Sequence, residues 1–196
     1  MAEAFKDLDE AIDGRPDDFP QAEQDPNWTG FHALEKAIYT DAKLDATSDK
    51  LADKLLADVT KLHDQITTMQ IDPSVAVAGA GELIEEIQAT KITGEEERFS
   101  HTDLNDFQAN LLSAKTLYAA YSPFVKQRNP VLDDELQNRF AAIQQGITPY
   151  FDAQGHLTTD YSKVDDATRK ILAGKVEALA NSFSQVGGTL GLKSAG

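Results

Sequence analysis

Apolar residues return every three or four positions through almost every long stretch of this chain, a period that matches one face of an α-helix and no strand. The strongest case is Leu104, Phe107, Leu111, Tyr118, Tyr121 and Val125, entered through "SHTDLNDF", where Ser100 or Thr102 can act as N-cap. Phe5, Leu8 and Ile12 line a short opening helix. Leu51, Leu55, Val59, Leu62, Ile66 and Met69 form a second long stripe. Residues 131–145 and 167–186 repeat the pattern, the latter through Ile171, Val176, Leu179, Phe183 and Val186. No stretch alternates with period two between hairpin turns. The expected fold is all-α, built as antiparallel helical bundles. Breaks fall at 13–27, 70–74, 92–96, 128–130 and 151–166, and most are short enough to join antiparallel neighbours. The expected organisation is one helical domain over 1–192 and a frayed tail at 193–196.

The 196 residues suffice for one domain with a sizeable core, or two small subdomains, and 41% hydrophobic against 26% charged residues marks a globular chain. The longest apolar runs are a few residues, too short to span a bilayer. No charged-then-apolar leader opens the chain, so any export signal is expected to have been removed or never encoded. With no cysteine there is neither a disulfide framework nor a thiolate metal site. The net charge of −15 is uneven: residues 1–100 hold 23 acidic and nine basic side chains, the remainder ten and nine. Such an acidic half repels nucleic-acid phosphates and anionic membrane surfaces and attracts cations, whether metal ions or a basic partner.

Within "WTGFHALEKAIY", residues 28–39, Phe31, Leu34 and Ile38 read as the core face of a helix, with His32, Glu35 and Tyr39 on the adjoining face. An imidazole and a carboxylate one turn apart can bind one divalent ion, but two ligands are rarely enough, so further carboxylates must come from elsewhere. Clusters are available at Asp7, Asp9, Glu10 and Asp13, at Glu82, Glu85 and Glu86, and at Glu95, Glu96 and Glu97. Each also reads as a solvated acidic face. His101 borders a helix start, His63 sits on a helix surface and His156 lies in a polar loop.

Enzymatic templates mostly fail. There is no His-Glu-x-x-His helix, no Gly-x-Ser-x-Gly elbow, no cysteine nucleophile, no phosphate-cradling glycine loop and no dinucleotide fingerprint. Paired carboxylates for glycoside hydrolysis are not excluded, because acidic residues are everywhere, but a helical scaffold of this composition argues more for binding than for hydrolysis.

Read together and in order, "AEAFKDLDEAIDGR", "WTGFHALEKAIY", "ATKITGEEERFSHTDLNDFQANLLSAK" and "SFSQVGGTLGL" resemble the imelysin-like domain of EfeO-type periplasmic iron-uptake proteins, in a short form without a cupredoxin-like domain. The resemblance implies two packed helical bundles, export to the periplasm, and binding of iron, or alternatively zinc or copper, for an inner-membrane iron permease. Its Gly-x-His-x-x-Glu signature falls on Gly30, His32 and Glu35. It further implies Asp13 and Glu95 as acidic ligands of the same metal. It also implies a helix ahead of "AEAF" that this sequence lacks, hence an exposed or otherwise filled apolar groove. Two other functions are weighed beside this one. A metallopeptidase is opposed by the missing second signature histidine. Capture of an acidic polysaccharide would use the basic residues of the second half with Tyr118, Tyr121, Tyr150, Phe151 and Tyr161, although most of those rings read as core.

Overall fold

The structure, a computed structural model, describes residues 5–94 and 96–193. Eight α-helices account for most of them: α1 (Lys6–Asp13), α2 (Phe31–Tyr39), α3 (Ala46–Ile66), α4 (Pro73–Glu86), α5 (Asp103–Arg128), α6 (Pro130–Ile147), α7 (Asp166–Phe183) and α8 (Val186–Leu190). Among the described residues the only β-type pairing is an isolated bridge between Phe151 and Leu157, so the all-α expectation holds. The tail expected to fray lies, beyond Lys193, outside the described residues. None of the described helices is long and apolar enough to cross a membrane. The chain divides into two compact units, Met1–Gln70 and Ile71–Gly196.

Helix starts follow from side chains that accept the otherwise unpaired N–H groups of a first turn. Asp45 caps α3 through Thr47 N, Asp72 caps α4 through Ser74 N, Asn129 caps α6 through Leu132 N and Asp165 caps α7 through Thr168 N. Pro73 and Pro130 occupy first helical positions, where a missing N–H costs nothing. The start of α5 departs from the expected cap. The Thr102 hydroxyl pairs with Ser100 Oγ at 2.9 Å rather than with a helix N–H, and the carboxylates of Asp103 and Asp106 sit in the first turn instead.

In the first unit, Leu8, Ile12 and Leu55 are buried, with Phe5, Leu34 and Leu62 packed around them. The stripe on α3 is only partly a core face, since Val59, Ile66 and Met69 are about two-fifths exposed. The cause is length. At about 1.5 Å per residue, α3 extends roughly 31 Å, while α1 and α2 reach less than half as far along it.

The pattern on α2 is partly inverted, although Leu34 packs on the core as expected. Phe31 and Ile38, expected in the core, are half exposed, whereas His32, Ala33 and Glu35 are buried. Leaving large apolar side chains half in water while burying an imidazole and a carboxylate forgoes part of the roughly 1.5–3 kcal/mol that full burial of each would contribute. A local rule broken at such cost marks a functional site more often than a structural one.

The second unit has a conventional core around α5, whose Leu104, Phe107, Leu111, Ala114, Tyr118 and Val125 are buried between α4 and α6. Asn129 alone joins α5 to α6, which forces the two helices to fold back antiparallel. On α7 the inward row is Leu172, Val176, Leu179 and Phe183, while Ile171 points outward at 60% exposure. Leu172 lies four before Val176, a better helical spacing than the five of Ile171. Tyr118 and Ser122 both donate to buried Asp133 at 2.6 Å, which pins α5 to α6. Tyr118 and Tyr161 are thus core residues, and Tyr121, Tyr150 and Phe151 pack half-buried against them.

Candidate metal centre

The segment between α1 and α2 folds back so that "WTG" grips the end of α1. Trp28 Nε1 donates to Gly14 O at 2.9 Å and Thr29 Oγ1 donates to Ala11 O at 3.1 Å. Both acceptors belong to carbonyls that a helix end leaves without intrahelical partners. Gly30 then passes the Ile12 carbonyl at a distance no side chain would allow. A Cβ there would lie 2.2 Å from Ile12 O, and its φ of +89° belongs to glycine. The glycine of the signature therefore has a physical reason: it lets the first turn of α2 dock on the last turn of α1.

That docking brings His32 to Asp13. His32 Nε2 is 3.6 Å from Asp13 Oδ1, and His32 Nδ1 is 3.2 Å from Glu35 Oε2, one turn further along α2. His32 and Glu35 are buried and Asp13 is half exposed. Two ligands on one tetrahedral ion at about 2.1 Å stand about 3.4 Å apart, so each ring nitrogen has a carboxylate near the separation of a neighbouring ligand, although the two nitrogens face opposite ways and one ion takes only one of them. The same geometry also allows one carboxylate to orient the ring while the opposite nitrogen binds an ion. The fold brings these three of the expected residues together. Glu95, the fourth, lies outside the described residues.

The other acidic groups divide. Asp7, Asp9 and Glu10 on α1, and Glu82 and Glu85 on α4, face solvent. Glu96 does not: its side chain is only 3% exposed and meets the buried Lys91 Nζ at 2.9 Å. His63 is exposed beside Asp64, and His156 is held at 3.2 Å by Asp152 in its loop. His101 adopts φ +57° and its N–H donates to Glu97 O, so it shapes the turn before α5.

Sequence reasoning missed a buried charged cluster in the second unit. Asp103 is fully buried, its Oδ1 accepting the Glu97 N–H at 3.3 Å. Asp106, one turn along, has its pKa pushed up to about 6 by burial. Lys91 opposes that shift, and Glu96 and Asp103 add to it. A folded-state value above the unfolded one means that the protonated acid favours the fold. Its contribution is complete below the unfolded value near 4 and is lost as pH rises through about 6. Asp106→Asn is therefore expected to raise the thermal midpoint at pH 7.5 by a few degrees and to change it little at pH 4.5. Melting curves at the two pH values check this. The available signal was the i, i+3 spacing of two acids at a helix start, which reads equally well as a solvated first turn.

Comparison with known proteins places the chain in a class. The imelysin family model matches residues 3–186, and the chain belongs to that family. Among named relatives, the iron uptake system component EfeO of Escherichia coli is 42% identical over 192 residues, 98% of this chain and 50% of the relative. An Efem/EfeO family lipoprotein of Staphylococcus haemolyticus is 38% identical over 95% of this chain and 64% of its own length. Its Staphylococcus aureus counterpart matches at the same identity over 65% of its length. The chain thus spans about half to two-thirds of the length of the curated relatives it matches.

Proposed function

We propose that this chain is the metal-binding part of an EfeO-type iron-uptake system. On this reading it works in the periplasm and takes iron at His32, Glu35 and Asp13 for delivery to an inner-membrane permease. The observation that carries the reading is the buried imidazole of His32 with a carboxylate at ligand spacing from each ring nitrogen. The strap between α1 and α2 sets the azimuth that buries those groups, and ion binding gives a chemical reason for burying an imidazole and a carboxylate there. Imidazole with carboxylate oxygen suits iron, zinc and copper, and the absence of thiolates disfavours soft ions. The acidic charge of the first hundred residues adds a field that concentrates cations. The names of the relatives support iron as the cargo.

Calorimetric titration with ferrous, ferric, zinc and cupric ions tests the reading, with saturable binding of iron expected. Absence of binding to all four would contradict it. The peptidase label that the imelysin family carries is not adopted. Cleavage of casein that is abolished both by chelation and by Glu35→Gln would reverse that choice.

A further inference from the structure

Helix α5 is apolar on both of its sides. Its inward row, from Leu104 through Tyr118 to Val125, fills the core of the second unit. A surface helix normally sets charged and polar residues opposite such a row. The opposite side of α5 instead carries Leu112, Leu117 and Phe124, which are 58%, 37% and 58% exposed. Ala109, Ala120 and Pro123 are exposed between them. Thr116 shares this face, but its hydroxyl donates to Leu112 O at 2.8 Å, back onto the helix itself. Val131, just past the end of α5, is 73% exposed.

The charges on this face have one sign. From Phe107 to Leu132 there is no acidic residue, although the chain has 33 of them. Lys115, Lys126 and Arg128 are the charged residues of the stretch, and all three are exposed. At about 3.6 residues per turn, the two lysines fall on one edge of the apolar face and Arg128 on the other. The Arg128 guanidinium also donates to the carbonyls of Thr189 and Leu190, which fixes its edge against the end of α8.

An apolar centre between basic edges is the pattern of a helix that lies in the plane of an anionic lipid surface. Protein partners fit less well. Leu112, Leu117, Phe124 and Val131 leave on the order of 400 Å² in water, counting each at the roughly 150–250 Å² that a ring buries. A stable protein interface takes about 800 Å² from each partner. A second copy docked through the same face would set the three basic residues against their own equivalents. Repulsion from anionic membranes belongs to residues 1–100, whereas residues 101–196 hold ten acidic and nine basic side chains. Screening beyond about 8 Å at physiological salt lets the local charge govern.

We propose that the outward face of α5 is a docking surface for an anionic phospholipid bilayer. The helix, 26 residues and roughly 39 Å long, lies along the surface, with Leu112, Leu117 and Phe124 in the headgroup layer. Lys115, Lys126 and Arg128 meet lipid phosphates at its edges. This inference is independent of the metal-binding reading.

The test is co-sedimentation of the full chain with vesicles of phosphatidylglycerol and phosphatidylcholine in equal parts, beside vesicles of phosphatidylcholine alone. Binding to the mixed vesicles is expected to be at least tenfold tighter. Lys115→Gln with Lys126→Gln should weaken it about thirtyfold, and Leu117→Ser with Phe124→Ser at least tenfold. All four side chains are exposed, so helical content should hold. Because the chain has no cysteine, Ala120→Cys can carry a single environment-sensitive dye. Its emission should shift to the blue on the mixed vesicles, while the same dye at Gln154→Cys, in an exposed loop, should not shift. No sedimentation with the mixed vesicles, full binding by both double variants, or an unshifted dye at position 120 in bound protein would overturn the proposal. Self-association in sedimentation velocity that Leu117→Ser with Phe124→Ser abolishes would assign the face to a second copy and overturn it as well.

Discussion

His32→Ala is expected to lower iron affinity at least a hundredfold, with the fold intact. The imidazole is the one group that both carboxylates approach, so its loss removes a ligand and the geometric centre of the site. Glu35→Gln keeps the volume and a hydrogen-bond acceptor while removing the charge, and should cost 10–100-fold. Asp13→Asn should cost less, because the half-exposed Asp13 carboxylate can be replaced by water. In the absence of metal, His32→Ala should leave thermal stability nearly unchanged or raise it. If the ring is held for an ion, as proposed, its removal relieves a desolvation cost. Calorimetry and melting curves on the same four proteins check both halves, and a large loss of stability without loss of affinity would point to a structural histidine.

Gly30→Ala is the second large effect. The substitution forces an L side chain into a left-handed conformation and drives its Cβ into the Ile12 carbonyl at 2.2 Å, a backbone atom that cannot step aside. The expected cost is about 3 kcal/mol or more, concentrated where α2 docks on α1. Trp28 reports it directly. It is the only tryptophan in the sequence, it is buried, and it donates to Gly14 O from within the same strap. Its emission should shift to the red, and metal binding should weaken as His32 moves away from Asp13. Gly79→Ala provides the contrast. It lies inside α4 with no atom within 4 Å of a new Cβ, and should be neutral or stabilising by about 0.5–1 kcal/mol.

Much of this was legible in the sequence, and the failures have physical causes. The period of Leu104, Phe107, Leu111 and Tyr118 gave α5 correctly, because a central helix with neighbours on its flanks shows its burial in its pattern. The same logic failed on α2. There the azimuth of a nine-residue helix is set by the Trp28–Thr29–Gly30 strap, and the apolar residues Phe31 and Ile38 are outvoted. It failed partly on α3, where the pattern says nothing about how short the partners are. The His32–Glu35 pair could be read from spacing, but Asp13 could not: nineteen residues separate it from His32, and only the strap closes that gap. Lys91 was hidden because the π-turn over Ile87–Lys91 leaves no periodic trace, and a lysine before three glutamates reads as an exposed ion pair until its burial is seen.

The most direct test of the central claim is anomalous diffraction from crystals grown with iron or zinc, collected at the metal absorption edge. The account predicts a peak about 2.0–2.3 Å from a His32 ring nitrogen, with a carboxylate oxygen of Glu35 or Asp13 completing the contact. A strong peak elsewhere, with the His32–Glu35 pair still closed at its 3.2 Å separation and no density beside it, would contradict the account.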